Sequence, residues 1–112
     1  MTVEVFEGEQ VYSMTDWSNQ PRSALGTTSD GQLIFAVADG RNSLSPGIFS
    51  LNWAEFLADE LNLSEGIGLD GGGSSTLVVQ DCWINSVVNF PSDSFGFSHE
   101  GARAVGSGLY LR

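Results

Sequence analysis

Three groups of residues in this 112-residue chain have types and spacing suited to chemistry. Asp39-Gly40-Arg41 ends one apolar run and Asp70-Gly71-Gly72-Gly73-Ser74-Ser75 ends another. Asn89, Pro91, Ser92 and Asp93 occupy a third loop, with Arg103 at its far edge. All three lie at the ends of predicted strands, and strand ends of one sheet converge in space. A glycine-rich turn can aim several amide N–H groups at an anion, and a missing side chain lets a ligand approach the backbone. A glycine run alone would read as a tight turn between strands. Here the flanking aspartate and hydroxyls, and the separate Asp-Gly-Arg element, favour a site. The basic residues are Arg22, Arg41, Arg103 and Arg112, with no lysine. A guanidinium gives oriented, two-pronged contact to phosphate or carboxylate, which a lysine point charge does not. Asp39 and Asp70 have the chemistry of a nucleophile or of a base that activates water.

Bulk properties exclude several classes. A formal net charge of −10 argues against a nucleic-acid polymer as partner, because phosphate chains would be repelled. No stretch approaches the ~20 apolar residues of a membrane span, and the opening MTVEVFEGEQ has neither a basic end nor an apolar segment. The expectation is a soluble, cytoplasmic chain with no membrane contact. The lone cysteine, Cys82, fits a small buried strand residue better than redox chemistry. No metal site or cofactor is expected: Glu55, Asp59 and Glu60 have no nearby histidine, and Asp70 with Ser74 and Ser75 is too generic a pattern to assign a divalent cation, although one is not ruled out.

The elements that must position these groups follow from periodicity. Residues 3–6 and 10–14 are expected as short strands. Residues 23–28 and 32–38 are expected as a hairpin turning on Asp30-Gly31, with LIFAVA, apolar on both faces, central in the sheet. Leu51, Ala54, Leu57, Ala58 and Leu61 recur at helical spacing, and Ser50 or Asn52 could cap that helix. IGLD is expected as a strand ending at the glycines, STLVVQDCWINSVVN as a hairpin turning near Gln80-Asp81, and RAVGSGLYLR as a last strand with close backbone contact at Gly106 and Gly108. The sum is an α+β fold: a single compact domain with a mixed or antiparallel sheet and one main α-helix. An uncovered sheet edge would favour a homo-oligomer, most simply a two-fold dimer, with Trp17, Phe95 and Phe97 at the contact.

RSALG, VADGR, SPG before a helix, GLDGGGSSTLVV, the NF and PSD elements and the closing ARAVGSGLYL resemble, in order, the motifs of the phosphodiester glycosidase family. The resemblance runs from about Arg22 to the C-terminus in a trimmed form, since residues 1–21 contain nothing like the Asn-Gly-Gly-Phe-Phe element of longer members. It implies release of a sugar from a sugar-1-phosphodiester. It also marks as site residues Arg22, Asp39, Arg41, Asp70, Gly71, Gly72, Gly73, Ser74, Ser75, Asn89, Asp93 and Arg103. In that chemistry the arginines and glycines would bind substrate phosphate and Asp70 and Asp39 would be catalytic, with His99 as a general acid. Ala102-Arg103 stands where the family usually has Glu-Arg. A different class of reading is a binding protein that keeps the anion pocket without turnover, and a third is a structural module of a larger assembly such as a virion.

Overall fold

The structure, a computed structural model, describes residues 18–81, 84–93 and 98–112. The expected strands at 3–6 and 10–14, and Trp17, Cys82, Phe95 and Phe97, lie outside the described residues.

The hairpin forms where its turn chemistry puts it. Strands β1 (Arg22–Thr28) and β2 (Leu33–Ala38) pair antiparallel, Arg22 opposite Ala38 through Thr27 opposite Leu33. Gly31 N donates to Thr28 O at 3.0 Å to close the turn, and the Thr28 hydroxyl bonds the Asp30 carboxylate. β3 (Leu63–Gly68) adds antiparallel to the other side of β1, so the described sheet has the order β2-β1-β3. Among the described residues the central strand is β1 and the more apolar LIFAVA stands at an edge. One expectation is corrected outright: the strand before the glycines begins at Leu63 and ends before Leu69 and Asp70.

Helix α1 (Ser50–Asp59) lies between β2 and β3 in sequence and packs on the sheet. Its entry is fixed by the bridge between Gln20 and Ile48, and its first turn closes with Trp53 N donating to Phe49 O at 2.9 Å. Phe49 is therefore the N-cap, with no side-chain cap bond, and Asn52 is already inside the helix, so neither expected capping residue serves. Trp53 and Leu57, four residues apart, are the side chains that bury most deeply. They meet Ala24 of β1 and Leu63 of β3, with Ile34, Ala36, Ala38, Ile48 and Leu61 around them. Burying Trp53 and Leu57 contributes about 2–3 kcal/mol each. Small residues on the sheet, Ala24, Ala36 and Ala38, let the helix approach.

A second hairpin, β4 (Val78–Asp81) and β5 (Ile84–Val87), pairs Asp81 with Ile84, so its turn falls beyond Gln80-Asp81. The last segment forms no strand: residues 102–112 have no described pairing partner, Val105, Leu109, Tyr110 and Leu111 are exposed, and among the described residues a Cβ at Gly106 or Gly108 would meet nothing within 4 Å. Two glycines in five residues raise the entropy cost of extending it, and no described edge repays that cost. The fold is α+β, with antiparallel sheets and one α-helix. Because β2 and β3 both run antiparallel to β1, both end beside its start, which sets Asp39 and Asp70 at one end of the sheet. One intervening strand separates them by roughly 10 Å of backbone.

Candidate active site

Beyond β2 the chain folds into a tight loop that presents Arg41. Asn42 Oδ1 accepts from the amides of Leu44 and Ser45 at 2.9 and 2.8 Å, Ser45 Oγ donates to Asp39 O at 2.8 Å, and Arg41 N donates to Pro46 O at 3.2 Å. These bonds hold Arg41 in a left-handed backbone with φ 56°. Its guanidinium donates to Gln20 Oε1 at 3.0 Å and lies against Gly72. It makes no ion pair with Asp39 or Asp70 among the described residues.

The three glycines have separate reasons to be bare. A Cβ on Gly71 would come 2.9 Å from Pro21 O, Gly72 has φ 60° beneath the Arg41 guanidinium, and a Cβ on Gly73 would strike the Asp93 carboxylate, 2.7 Å from its Cγ. Residues Gly72–Ser74 form one turn of 3-10 helix. Within that turn Ser74 N donates to Gly71 O and Ser75 N to Gly72 O, while Gly72 N donates outside it to Pro21 O, so these three amides are engaged in the fold. What the turn presents instead is the close approach of charged side chains. On its other flank Arg103 donates to Ser74 Oγ at 2.7 Å, and its Nε stands 3.7 Å from Asp93 Oδ2. The glycine turn is thus flanked by Arg41 on one side and the Asp93–Arg103 pair on the other. Arg22 is placed otherwise: its Nε donates to Ile48 O and its Nη2 to Ser18 O, tying the start of β1 to the approach of the helix.

The two aspartates differ in kind. Asp70 is exposed, with its backbone carbonyl held by Ser23 Oγ at 2.6 Å, and among the described residues its carboxylate has no hydrogen bond or ion pair. Asp39 is half-buried, and its Oδ1 accepts from Asn89 Nδ2 and from Phe90 N, both at 3.0 Å. Asn89 is 9% exposed and fully occupied: Nδ2 also donates to Ser75 O at 2.8 Å, Oδ1 accepts from Leu77 N at 2.8 Å, and its carbonyl takes a bond from His99 Nδ1 at 2.8 Å. The His99 ring stacks on Phe90 at 4.2 Å. Ser75 is buried and its hydroxyl has no partner among the described residues. Asn89, expected among the substrate-binding residues, is a joint between three loops. No sequence signal marks such a joint, since an asparagine before an aromatic looks the same in any loop. Among the described residues no cluster of three His, Cys, Asp or Glu side chains is placed to hold a metal ion, and no helix is long and apolar enough to cross a membrane.

The model of the family described as phosphodiester glycosidase matches residues 3–112. The chain belongs to the phosphodiester glycosidase family. It is 33% identical over 93 residues to the mouse N-acetylglucosamine-1-phosphodiester alpha-N-acetylglucosaminidase, covering 81% of this chain and 17% of that protein. The human protein of the same name is 38% identical over 72 residues, 64% of this chain and 13% of that one. A prophage relative, the SPbeta prophage-derived uncharacterized protein YomE of Bacillus subtilis (strain 168), is 36% identical over 78 residues, 66% of this chain and 12% of YomE. The chain thus spans 12–17% of the length of these curated relatives. No solved structure matches it significantly. In this member of the family the motifs around Asp39, Asp70 and Asn89 sit together at one end of the described three-stranded sheet.

Proposed function

We propose that this chain hydrolyses a sugar-1-phosphodiester, releasing the sugar from its phosphate-linked partner, with Asp70 as the reacting carboxylate. The observation that carries this reading is an exposed, unpaired Asp70 beside a glycine turn flanked by Arg41 and Arg103. A phosphodiester oxygen leaves as a weakly basic phosphate, so breaking the sugar C1–O bond needs charge stabilisation more than protonation. Guanidinium groups suit the electron pair that departs with the phosphate. A carboxylate suits the positive charge that builds at C1, and it either attacks that carbon or takes the proton of the attacking water. Both N-acetylglucosamine-1-phosphodiester alpha-N-acetylglucosaminidases bear, in their names, this bond as their substrate.

A second reading is a binding protein for a sugar phosphate or a nucleotide-like phosphodiester without turnover, and the engagement of Asp39 with Asn89 and Phe90 favours it. One experiment separates them: incubate the purified protein with a panel of sugar-1-phosphodiesters and nucleotide sugars, following bound ligand by calorimetry and free sugar by chromatography. Release of sugar establishes the hydrolase, binding without release establishes the binder, and neither sinks both.

A further inference from the structure

A backbone carbonyl can only accept a hydrogen bond. The 2.8 Å contact between His99 Nδ1 and the Asn89 carbonyl therefore requires the proton on Nδ1, which leaves Nε2 of the neutral ring with its lone pair. The same Asn89 places its side-chain Nδ2 on Asp39 Oδ1, and the next amide, Phe90 N, donates to that same oxygen. Phe90 in turn stacks on the imidazole. One carboxylate oxygen thus holds the Asn89 side chain and the N–H of the Asn89–Phe90 peptide, whose carbonyl takes the histidine proton while the Phe90 ring lies alongside.

We propose that Asp39 is a positioning residue, acting through Asn89 and Phe90 to lock His99 in the Nδ1–H tautomer, so that Nε2 is a proton acceptor rather than the general acid expected from sequence. The catalytic meaning of this rests on the hydrolase reading, while the geometry stands without it. Where Asp70 attacks C1, its carboxylate oxygen bonds to that carbon as the C1–O bond to phosphate breaks and the electron pair leaves with the phosphate. In the second step the proton of the attacking water passes to His99 Nε2, the water oxygen bonds to C1, and the C1–Asp70 bond breaks with its electron pair returning to the carboxylate. A base fits this reaction better than an acid does, because a phosphate leaves without needing a proton. Asp39 Oδ1, which already accepts two N–H bonds, is a poor nucleophile, so any direct chemistry at Asp39 falls to Oδ2.

His99 is the one histidine of the chain, so ring-nitrogen NMR of protein labelled at histidine reports it without ambiguity. The wild type at a pH where the ring is neutral should show Nδ1 protonated and Nε2 unprotonated. Asp39→Ala and Asn89→Ala should give a mixture of tautomers, and Asp39→Asn, which keeps an accepting Oδ1, should restore the single form. With a turned-over substrate, Asp39→Ala should cost about 10–100-fold in kcat, the range for removing a supporting hydrogen bond, with much of the loss recovered in Asp39→Asn. An Nε2–H tautomer in the wild type, or a tautomer indifferent to both alanine variants, overturns the proposal. So does an Asp39→Asn protein that keeps the tautomer yet is as inactive as Asp39→Ala, because Asp39 would then react directly. Should Asp39→Ala fail to fold, Asp39→Asn and the wild-type spectrum still decide. Should the wild type release no sugar, the hydrolase reading fails and the tautomer measurement still judges the lock.

Discussion

The Arg41 guanidinium lies against the bare Cα of Gly72: a Cβ there would stand 3.0 Å from Nη1 and 3.4 Å from Cζ. Both residues are in the left-handed region, at φ 56° and 60°. Gly72→Ala therefore adds a methyl group where the arginine rests and also forces an alanine into a conformation that costs about 1–2 kcal/mol. Calorimetry with a sugar phosphodiester should show a larger loss than thermal unfolding does if, as proposed, the displaced guanidinium contacts the ligand. A collapse of thermal stability with normal residual affinity would mean that the glycine serves the fold alone.

Arg41→Lys keeps the charge and loses the fork. Gln20 and the ligand both need directed N–H groups, which an ammonium on a flexible stem supplies poorly. Affinity should drop by about 10-fold or more, in line with the loss of one charge-assisted hydrogen bond. Unchanged binding and turnover in Arg41→Lys would reduce the role of Arg41 to surface charge.

Gly73→Ala should behave differently, since its Cβ meets a carboxylate rather than a cation. The methyl group would push Asp93 away and so free Arg103, which pairs with Asp93 and Ser74. The conflict is local, so adding Asp93→Ala to the Gly73→Ala protein should recover thermal stability, whereas Asp93→Ala alone should change it by less than about 1 kcal/mol, as for an exposed ion pair. Additive losses in the double variant would show that Gly73 is bare for another reason.

Local chemistry was legible in the sequence and long-range partnership was not. Asp30-Gly31 announced the hairpin because turn preference is set by adjacent residues. The helix was visible in Leu51, Ala54, Leu57 and Ala58, although it ends before Leu61, and Trp53, its deepest side chain with Leu57, lay outside the stripe of Leu and Ala that periodicity selects. Among the described residues LIFAVA stands at an edge and 102–112 has no paired strand, and both depend on which strands meet, which hydrophobicity does not encode. Family motifs brought Asp39, Asp70, Arg41 and the glycines forward as a group. They could not say that Asn89 bonds Asp39, Ser75 and Leu77, or that Gly72 N is tied to Pro21 O, because both are tertiary facts.

The face of the sheet away from α1 carries Leu33, Ile67 and Leu69, which are exposed at 44%, 56% and 42%. β2 and β3 are its two edges among the described residues. Exposed apolar edges favour association, and the expected state is a two-fold dimer. Light scattering at micromolar protein should give twice the chain mass, and Ile67→Glu should shift it toward the monomer. A wild-type monomer at that concentration removes the idea.

Asp70 carries the proposed chemistry, and its isolation is what makes the test clean. Its backbone is fixed by Ser23 Oγ and by the neighbouring Leu69 N on Ser23 O, while no described residue relies on its carboxylate. Asp70→Asn should accordingly leave the melting temperature and ligand affinity near the wild type, since it keeps shape and removes only the ionisable group. Turnover of a sugar-1-phosphodiester should fall by at least about 100-fold, the scale on which positioned acid–base or nucleophilic groups act. If Asp70 is the nucleophile, stopped reactions of the wild type analysed by intact-mass spectrometry should show a glycosylated chain that Asp70→Asn does not form. If it is the base, no adduct appears in either protein, but the loss in kcat remains. Full turnover in Asp70→Asn would move the chemistry off Asp70, and Asp39, otherwise a support for His99, would be the carboxylate left to carry it.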